Sequence, residues 1–286
     1  MPVGFVSEIR RYPVKSLGGE SLALATVTER GLPGDRAWAV RDETRGGIRG
    51  AKRFPELMTA RARYLQEPAP GPSMPAEITF ADGRRIGTGD AGAARALSDL
   101  VGSPVTLWPL RPADDLAHYR RGAPVLDDRE AEMRRIFART EDEPLPDLRA
   151  FPRDLIPYES PPGTYFDAYP ILVMTSRSLE FLASRAPAQR FDVRRFRPNF
   201  LVHTSADDPF PERAWLGKRL RIGSVLLDVT LDCPRCAMTT HGFEDLPQDA
   251  RIMRTLVHES GGNLGVYATV REPGVVALED PVDIVA

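Results

Sequence analysis

Two cysteines stand three positions apart late in the chain, as Cys233 and Cys236 of the segment CPRCAMTT. Arg235 precedes the second cysteine, and a neighbouring positive charge favours the thiolate, the form in which cysteine binds metals. A soft sulfur ligand suits a transition metal. The segment follows a run of β-forming residues, so we expect it to lie on a loop. One interpretation is a single metal-binding thiolate at Cys236.

Three other interpretations of this segment remain open. A C-x-x-C pair can carry thiol–disulfide chemistry, although such pairs usually lie near a βαβ unit, with the first cysteine opening a helix. Both cysteines can also be small buried hydrophobic residues, which their polar neighbours disfavour. The third interpretation is a zinc site. Enough ligand atoms are present in Cys233, Cys236, His241 and His258. Their spacing, however, fits no common zinc motif.

Three further polar segments lie next to predicted strands. YPVKS contains Lys15 and Ser16, GDRAW contains Arg36, and FRPN contains Arg197 and Asn199. Each has an ordinary explanation: a solvated turn, an exposed Asp–Arg pair and a basic strand edge. Lysine is scarce, however, because only three of the 38 basic residues are lysines. A lysine in this chain therefore indicates a chemical reason for a compact ammonium group.

The elements that must position these residues are mostly short strands. Strands are predicted at residues 3–9, 21–27, 36–41, 77–80, 104–109, 171–174, 199–203, 219–222, 225–231, 264–270, 275–278 and 282–285. Helices are predicted at residues 90–101, 128–139, 176–184 and 248–259. Many short strands between Gly and Pro turns predict a mainly β protein, built of barrels with some helices (β/α+β).

The motifs occur in an order that resembles the MOSC family with its N-terminal β-barrel domain, from Val3 to Val285. The amidoxime-reducing components and the bacterial hydroxylaminopurine-reducing homologues are the most similar branches. The resemblance implies a MOSC β-barrel core preceded by a smaller, barrel-like N-terminal domain. We expect the N-terminal domain at residues 1–110 and the MOSC domain at residues 111–286, with 111–165 as a connecting segment and 166–286 as the core barrel.

The resemblance also implies a molybdenum cofactor (Mo-molybdopterin), a pterin dithiolene with a phosphate tail, in the cleft between the domains. Cys236 would be the only protein ligand of the metal and the catalytic residue. The guanidinium groups of arginine and the ammonium group of lysine suit a phosphate. The amide of asparagine and the hydroxyl of serine suit the hydrogen-bond donors and acceptors along a pterin edge. The other cofactor-binding positions carry over to Lys15, Ser16, Arg36, Arg197, Asn199, Arg235 and Tyr267.

The activity that the resemblance implies is that of an oxidoreductase that removes oxygen from small N-hydroxylated substrates. Electrons would come from a separate flavin or iron–sulfur protein, because no Cys-rich ferredoxin segment follows the last predicted strand. Two alternatives stay open: a sulfur carrier with a persulfide on Cys236, and a non-catalytic protein that binds or delivers the cofactor. The chain departs from the family after Thr240, and beside Asp167, where Ala168 and Tyr169 replace small hydroxylated residues.

The composition argues against several other classes of protein. A net charge of −2 provides no basic surface for nucleic acid. No apolar run approaches about 18 residues, and the first residues lack the pattern of a signal peptide, so we expect neither a membrane span nor export. Two cysteines do not make a disulfide framework, which favours a reducing, cytoplasmic location.

Overall fold

The computed structural model describes residues 2–285, apart from the side chain of Asp154. In chain order its strands are β1 Gly4–Arg11, β2 Glu20–Leu22, β3 Leu24–Val27, β4 Trp38–Asp42, β5 Ile48–Arg49, β6 Arg61–Arg63, β7 Glu77–Thr79, β8 Arg85–Gly87, β9 Val105–Pro109, β10 Ile171–Thr175, β11 Phe200–His203, β12 Arg219–Ile222, β13 Val225–Pro234, β14 Asn263–Glu272, β15 Gly274–Ala277 and β16 Pro281–Val285. Its α-helices are α1 Ala93–Val101, α2 Leu116–Tyr119, α3 Arg129–Phe137, α4 Ser176–Arg185, α5 Val193–Phe196 and α6 Arg251–Ser260. Short 3-10 helices lie at Pro55–Thr59, Arg153–Leu155, Pro211–Trp215 and Ala237–Thr240.

Seven strands close into the main barrel. They run around the ring in the order β11, β10, β14, β13, β12, β16 and β1, and β1 pairs with β11 to complete it. The pairings are antiparallel except between β10 and β11. Closure leaves no strand edge of the ring unpaired, which is how barrels avoid edge-to-edge aggregation. The structure thus confirms the prediction of a mainly β fold with a barrel core.

Aliphatic side chains fill the interior of this barrel. In β13 the buried residues Val225, Leu227 and Val229 alternate along the strand, as the period of two in a strand requires. Strand β14 passes close to β10 at Gly265, where a Cβ atom would lie 2.5 Å from Cγ of Met174 and where φ is +77°. Only glycine accepts both conditions without strain.

The N-terminal region adds two small sheets outside the main barrel. One has the strand order β5, β4, β9 and the other has the order β6, β7, β8. Helix α1 packs with both sheets around Val40, Leu57, Ile78 and Leu97. Gly102 ends α1 in the left-handed conformation, as the sequence predicts.

The chain crosses between these regions more than once. Strand β1 belongs to the main barrel, and β3 pairs with β15 near the C-terminus. The segment at residues 12–18 then leads from the main barrel into the N-terminal sheets, where Val14 bridges to Trp38. The division at residue 110 stays a prediction, and the first 27 residues pair largely with strands from the C-terminal half of the chain.

Candidate functional site

A cleft lies where the segment after β1 meets one end of the main barrel. Its lining includes every residue that the sequence analysis assigns to cofactor or metal. These eight residues are far apart in the chain but line one cavity: Lys15, Ser16, Arg36, Arg197, Asn199, Arg235, Cys236 and Tyr267.

Three of the eight adopt a backbone conformation that side chains rarely accept. The φ angles are +71° at Ser16, +49° at Arg36 and +58° at Arg197. The left-handed region costs a non-glycine residue roughly 1–2 kcal/mol. Such strain persists only where the surroundings fix it, and it concentrates at functional sites. At Arg197 the strained residue follows the last turn of α5 and aims its side chain back across the cleft toward the segment after β1.

Arg36 and Arg197 form the cationic wall of the cleft around the ring of Tyr12. The guanidinium carbon lies 4.5 Å from the ring centroid for Arg36 and 4.1 Å for Arg197. Asp35 is buried beneath them and accepts a hydrogen bond from Arg36. Burial lowers the pKa of Arg197 to about 10, against the opposing effect of Tyr12 and Asp35. Both arginines nevertheless carry a charge at neutral pH, so this wall attracts anions.

Asn199 uses most of its hydrogen-bonding capacity within the protein. Its Oδ1 accepts from the backbone N–H of Leu172 at 3.1 Å. Its Nδ2 donates to Asp35 at 2.9 Å and to the carbonyl of Arg10 at 3.3 Å. These bonds tie β10 and β1 to the acid beneath the arginines, so Asn199 contributes mainly by holding the wall together.

A buried lysine and an acid form an ion pair in the lining of the cleft. Lys15 Nζ donates to Asp167 Oδ1 at 2.7 Å and to the carbonyl of Tyr165 at 2.7 Å. Lys52 Nζ lies 3.5 Å from the other carboxylate oxygen. Burial lowers the pKa of Lys15. Burial also acts to raise the pKa of Asp167, but the two lysines outweigh it and hold that pKa well below its ordinary value.

Asp167 in the cleft lining and Lys52 beside it are two charged residues that are not among the predicted site residues. The scarcity of lysine was a usable signal, because two of the three lysines in the chain meet at one carboxylate. Asp167 lies in a segment that departs from the family pattern, so the motifs do not single it out. Asp167 raises the pKa of Lys52 against the effect of burial.

The two cysteines have different surroundings. Cys233 is buried, and its Sγ accepts a hydrogen bond from Arg235 Nη1 at 2.8 Å. Burial raises the pKa of the Cys233 thiol, and Arg235 and Tyr267 only partly oppose this. Cys236 is half-buried and caps the short helix Ala237–Thr240. Of the two sulfur atoms, that of Cys236 is therefore the more accessible to a ligand, while Arg235 contacts Cys233.

The zinc interpretation fails on geometry. Between residues 2 and 285 no cluster of three or more His, Cys, Asp or Glu side chains is placed to hold a metal ion. His241 Nε2 contacts the carbonyl of Ala51 at 3.1 Å, and His258 is an exposed side chain beside Glu259.

Comparisons with known proteins agree with this architecture. The MOSC domain profile matches residues 161–283, and the MOSC N-terminal beta barrel domain profile matches residues 3–77. This chain is a MOSC-domain protein. The two matches contain all eight of the cavity residues predicted from the sequence.

Curated relatives extend the similarity along almost the whole MOSC-domain protein. Mitochondrial amidoxime-reducing component 1 of Mus musculus is 27% identical over 98% of this chain and 82% of its own length. Mitochondrial amidoxime reducing component 2 of Bos taurus is 26% identical over 98% of this chain and 83% of its own. The human component 2 reaches 30% over 41% of this chain and 38% of its own.

Solved structures are more distant from this MOSC-domain protein. The YUAD protein from Bacillus subtilis aligns with a TM-score of 0.44 at 11% identity, covering 98% of this chain and 94% of that one. YiiM from Escherichia coli aligns with a TM-score of 0.33 at 17% identity, covering 44% and 59%. Among the residues that the structure describes, no helix has the length and apolar character needed to cross a membrane.

Proposed function

We propose that this MOSC-domain protein is a molybdenum-cofactor-dependent oxidoreductase that reduces N-hydroxylated compounds. One observation carries the proposal: the half-buried thiol of Cys236 faces the same cleft as the cations of Lys15, Arg36 and Arg197. The names of the mitochondrial relatives support the substrate class.

The residues present fit a pterin cofactor with an anionic tail. The strained residues Arg36 and Arg197 and the buried Lys15 give the cleft a cationic region, and Ser16 adds a hydroxyl group next to Lys15. Arg197 Nη1 is engaged by the carbonyl of Leu17 at 2.5 Å. This bond fixes the direction of the guanidinium and leaves its other N–H groups for a phosphate. The absence of a protein ligand cluster among the described residues fits a metal whose other ligands come from the cofactor.

When bound, the molybdenum cofactor would supply the two-electron chemistry of oxygen removal at an open metal position. The overall reaction balances as R–NHOH + 2 e⁻ + 2 H⁺ giving R–NH₂ and water, with cleavage of the N–O bond. The protein's part is to anchor the metal through Cys236, to neutralise the cofactor's charge with the cationic wall, and to hold Asp167 beside Lys15. A separate electron-transfer protein, flavin or iron–sulfur, would return the electrons.

Replacing the two cysteines separately tests the cofactor assignment. In a host that makes the cofactor, we expect Cys236→Ser to lose at least ~10-fold of the bound molybdenum, since even outer-shell changes commonly cost about 10- to 100-fold in metal affinity. Cys233→Ser is the matched control and keeps most of the metal, because that thiol is buried beneath Arg235. Elemental analysis of both variants gives the result, and equal loss from both would indicate a dithiol site.

Activity is tested separately, with benzamidoxime or a hydroxylaminopurine and a chemical reductant. Stoichiometric molybdenum without reduction of any N-hydroxy compound would refute the activity and leave the cofactor assignment in place. A persulfide on Cys236 after cysteine-desulfurase treatment, with no bound molybdenum, would instead favour a sulfur carrier. Mass spectrometry of the treated protein distinguishes these outcomes.

A further inference from the structure

The cleft has a second wall, which is aromatic and in which only Tyr267 is among the predicted cofactor-binding residues. Tyr169 and Tyr267 both line it, with their ring centroids 5.4 Å apart and their planes inclined by 36°. Phe151 meets Tyr267 edge-on, with a centroid distance of 6.3 Å and an angle of 89°. We call Phe151, Tyr169 and Tyr267 the aromatic wall. It lacks charged groups of its own, in contrast to the wall of Lys15 and the arginines.

The strand register explains why these rings meet. Tyr267 on β14 lies opposite Leu172 on β10, and Tyr169 stands just before β10 begins. Phe151 comes from the predicted connecting segment and covers Tyr267 from outside the barrel strands. The barrel therefore places two of the rings at the cleft, and a separate stretch of chain supports them with a third.

Tyr169 is also a residue at which this chain departs from the pattern it resembles. Small hydroxylated residues are expected beside Asp167, and this chain has Ala168 and Tyr169 instead. Tyr169 gives the cleft a large, flat, half-buried surface. Aromatic rings favour offset or tilted partners with centroids about 4.5–7 Å apart, so the exposed ring faces suit another flat ring.

We propose that the Tyr169–Tyr267 pair binds the planar aromatic ring of the substrate, so that the protein prefers aromatic or heteroaromatic N-hydroxylated compounds to aliphatic ones. This inference rests on the proposed function. The two walls of the cleft then bind different chemical groups. The anionic cofactor meets the cations, and an uncharged flat ring meets the tyrosines. A saturated ring of similar size gains buried area but lacks the stacking contribution.

Binding without turnover tests the proposal on the cofactor-loaded protein. Benzamide and cyclohexanecarboxamide share a head group and differ mainly in the flatness of the ring. By calorimetry we expect the wild type to bind benzamide about 10-fold more tightly, within the range of an aromatic pair. Tyr169→Ala removes most of that preference, and Tyr169→Phe keeps it because the ring remains. Phe5→Ala is the matched control, since Phe5 stacks on His203 away from the cleft.

Two results would overturn the inference. A wild type that binds both amides equally has no aromatic subsite. Loss of molybdenum from Tyr169→Ala, with an unchanged preference for benzamide, would mean that the ring serves the pterin and not the substrate. The experiment measures binding and not turnover. A protein without reductase activity can therefore still show or lack the preference for benzamide, so failure of the proposed function and failure of this inference are distinguishable.

Discussion

At the scale of single residues, Arg195 holds the loop that follows Cys236. It is 1% exposed, and its guanidinium donates to four backbone carbonyls, those of Arg190, Thr239, His241 and Pro247. All four of these acceptors are backbone carbonyls and none is a carboxylate. Burial accordingly lowers its pKa. Its planar fork thus determines the position of the loop on which the proposed metal ligand lies.

We therefore expect Arg195→Lys to destabilise the protein by about 3 kcal/mol, because a lysine cannot reach all four carbonyls and leaves buried acceptors unpaired. Urea unfolding monitored by circular dichroism measures this, and bound molybdenum should fall with it. Arg190→Lys is the control, since that exposed pair with Asp245 contributes less than about 1 kcal/mol. An Arg195→Lys variant as stable as the control would show that the loop is held by other contacts.

Site residues could be predicted from the sequence only where their residue type is rare in this chain. Cys236 and Lys15 belong to rare types in this sequence, and their motifs lie close to strand ends. Lys52 was within reach by the same reasoning but lies in a segment with no recognised motif. Arg195 was not, because one of 35 arginines cannot be distinguished from an exposed cation without knowing which carbonyls surround it.

At the scale of elements, buried strands were predicted well and interrupted strands were not. Strand β12 agrees with the prediction at both ends, and α4 begins at Ser176 as predicted. Residues 21–27 were predicted as one strand, but the structure divides them into β2, which pairs with β1, and β3, which pairs with β15. Local β-forming character is the same on both sides of the break. The two strands differ in the strand that each pairs with, and this pairing is set by the folded barrel and not by local sequence.

Glu212, a buried acid that contacts the start of helix α4, is expected to make the stability of the protein depend on pH. Glu212 Oε2 accepts hydrogen bonds from Thr175, the N-cap of α4, at 2.7 Å and from Ser178 at 2.6 Å. Burial raises the pKa of Glu212. The folded state therefore holds this proton more tightly than the unfolded state does. Its contribution to stability is complete below the ordinary glutamate pKa of about 4.3 and is lost as the pH rises through the raised value.

The glutamine in Glu212→Gln cannot ionise. As the pH rises from mildly acidic to neutral, the free energy of unfolding of this variant should therefore increase relative to that of the wild type. Urea unfolding at a series of pH values measures the difference between the two proteins, which cancels the other titrating groups. Glu180→Gln, on the exposed side of α4, should follow the wild type. A constant difference between Glu212→Gln and the wild type across the series would contradict a raised pKa at Glu212.

At the scale of the whole molecule, the order of strands in the barrel differs from their order in the chain. Strand β1 lies between β16 and β11, so the first residues close a ring made otherwise from residues 171–285. Its buried residues Val6 and Ile9 are part of the barrel interior. The proposed cofactor site depends on this closure, because the segment with Lys15 and Ser16 follows β1 directly. The sequence motifs indicate two domains in succession, but the strand pairing shows that the second is completed by the start of the first.

We therefore expect residues 111–286 expressed alone to aggregate, because β11 and β16 would each present an unpaired edge. Gly4 and Phe5 at the start of β1 lie opposite Val282 and Pro281 at the start of β16. Because this pair is antiparallel, the chain before Gly4 and the chain after Val282 leave it at the same end. A short glycine-containing loop from residue 285 to residue 2, carrying the chain on to residue 27, should restore a monomer with cooperative unfolding. The same fusion with Val6→Asp and Ile9→Asp is the matched control and should fail, since both side chains enter the barrel interior. Size-exclusion chromatography and thermal melts compare the three fragments, and cooperative unfolding of residues 111–286 by themselves would show that the barrel is stable without β1.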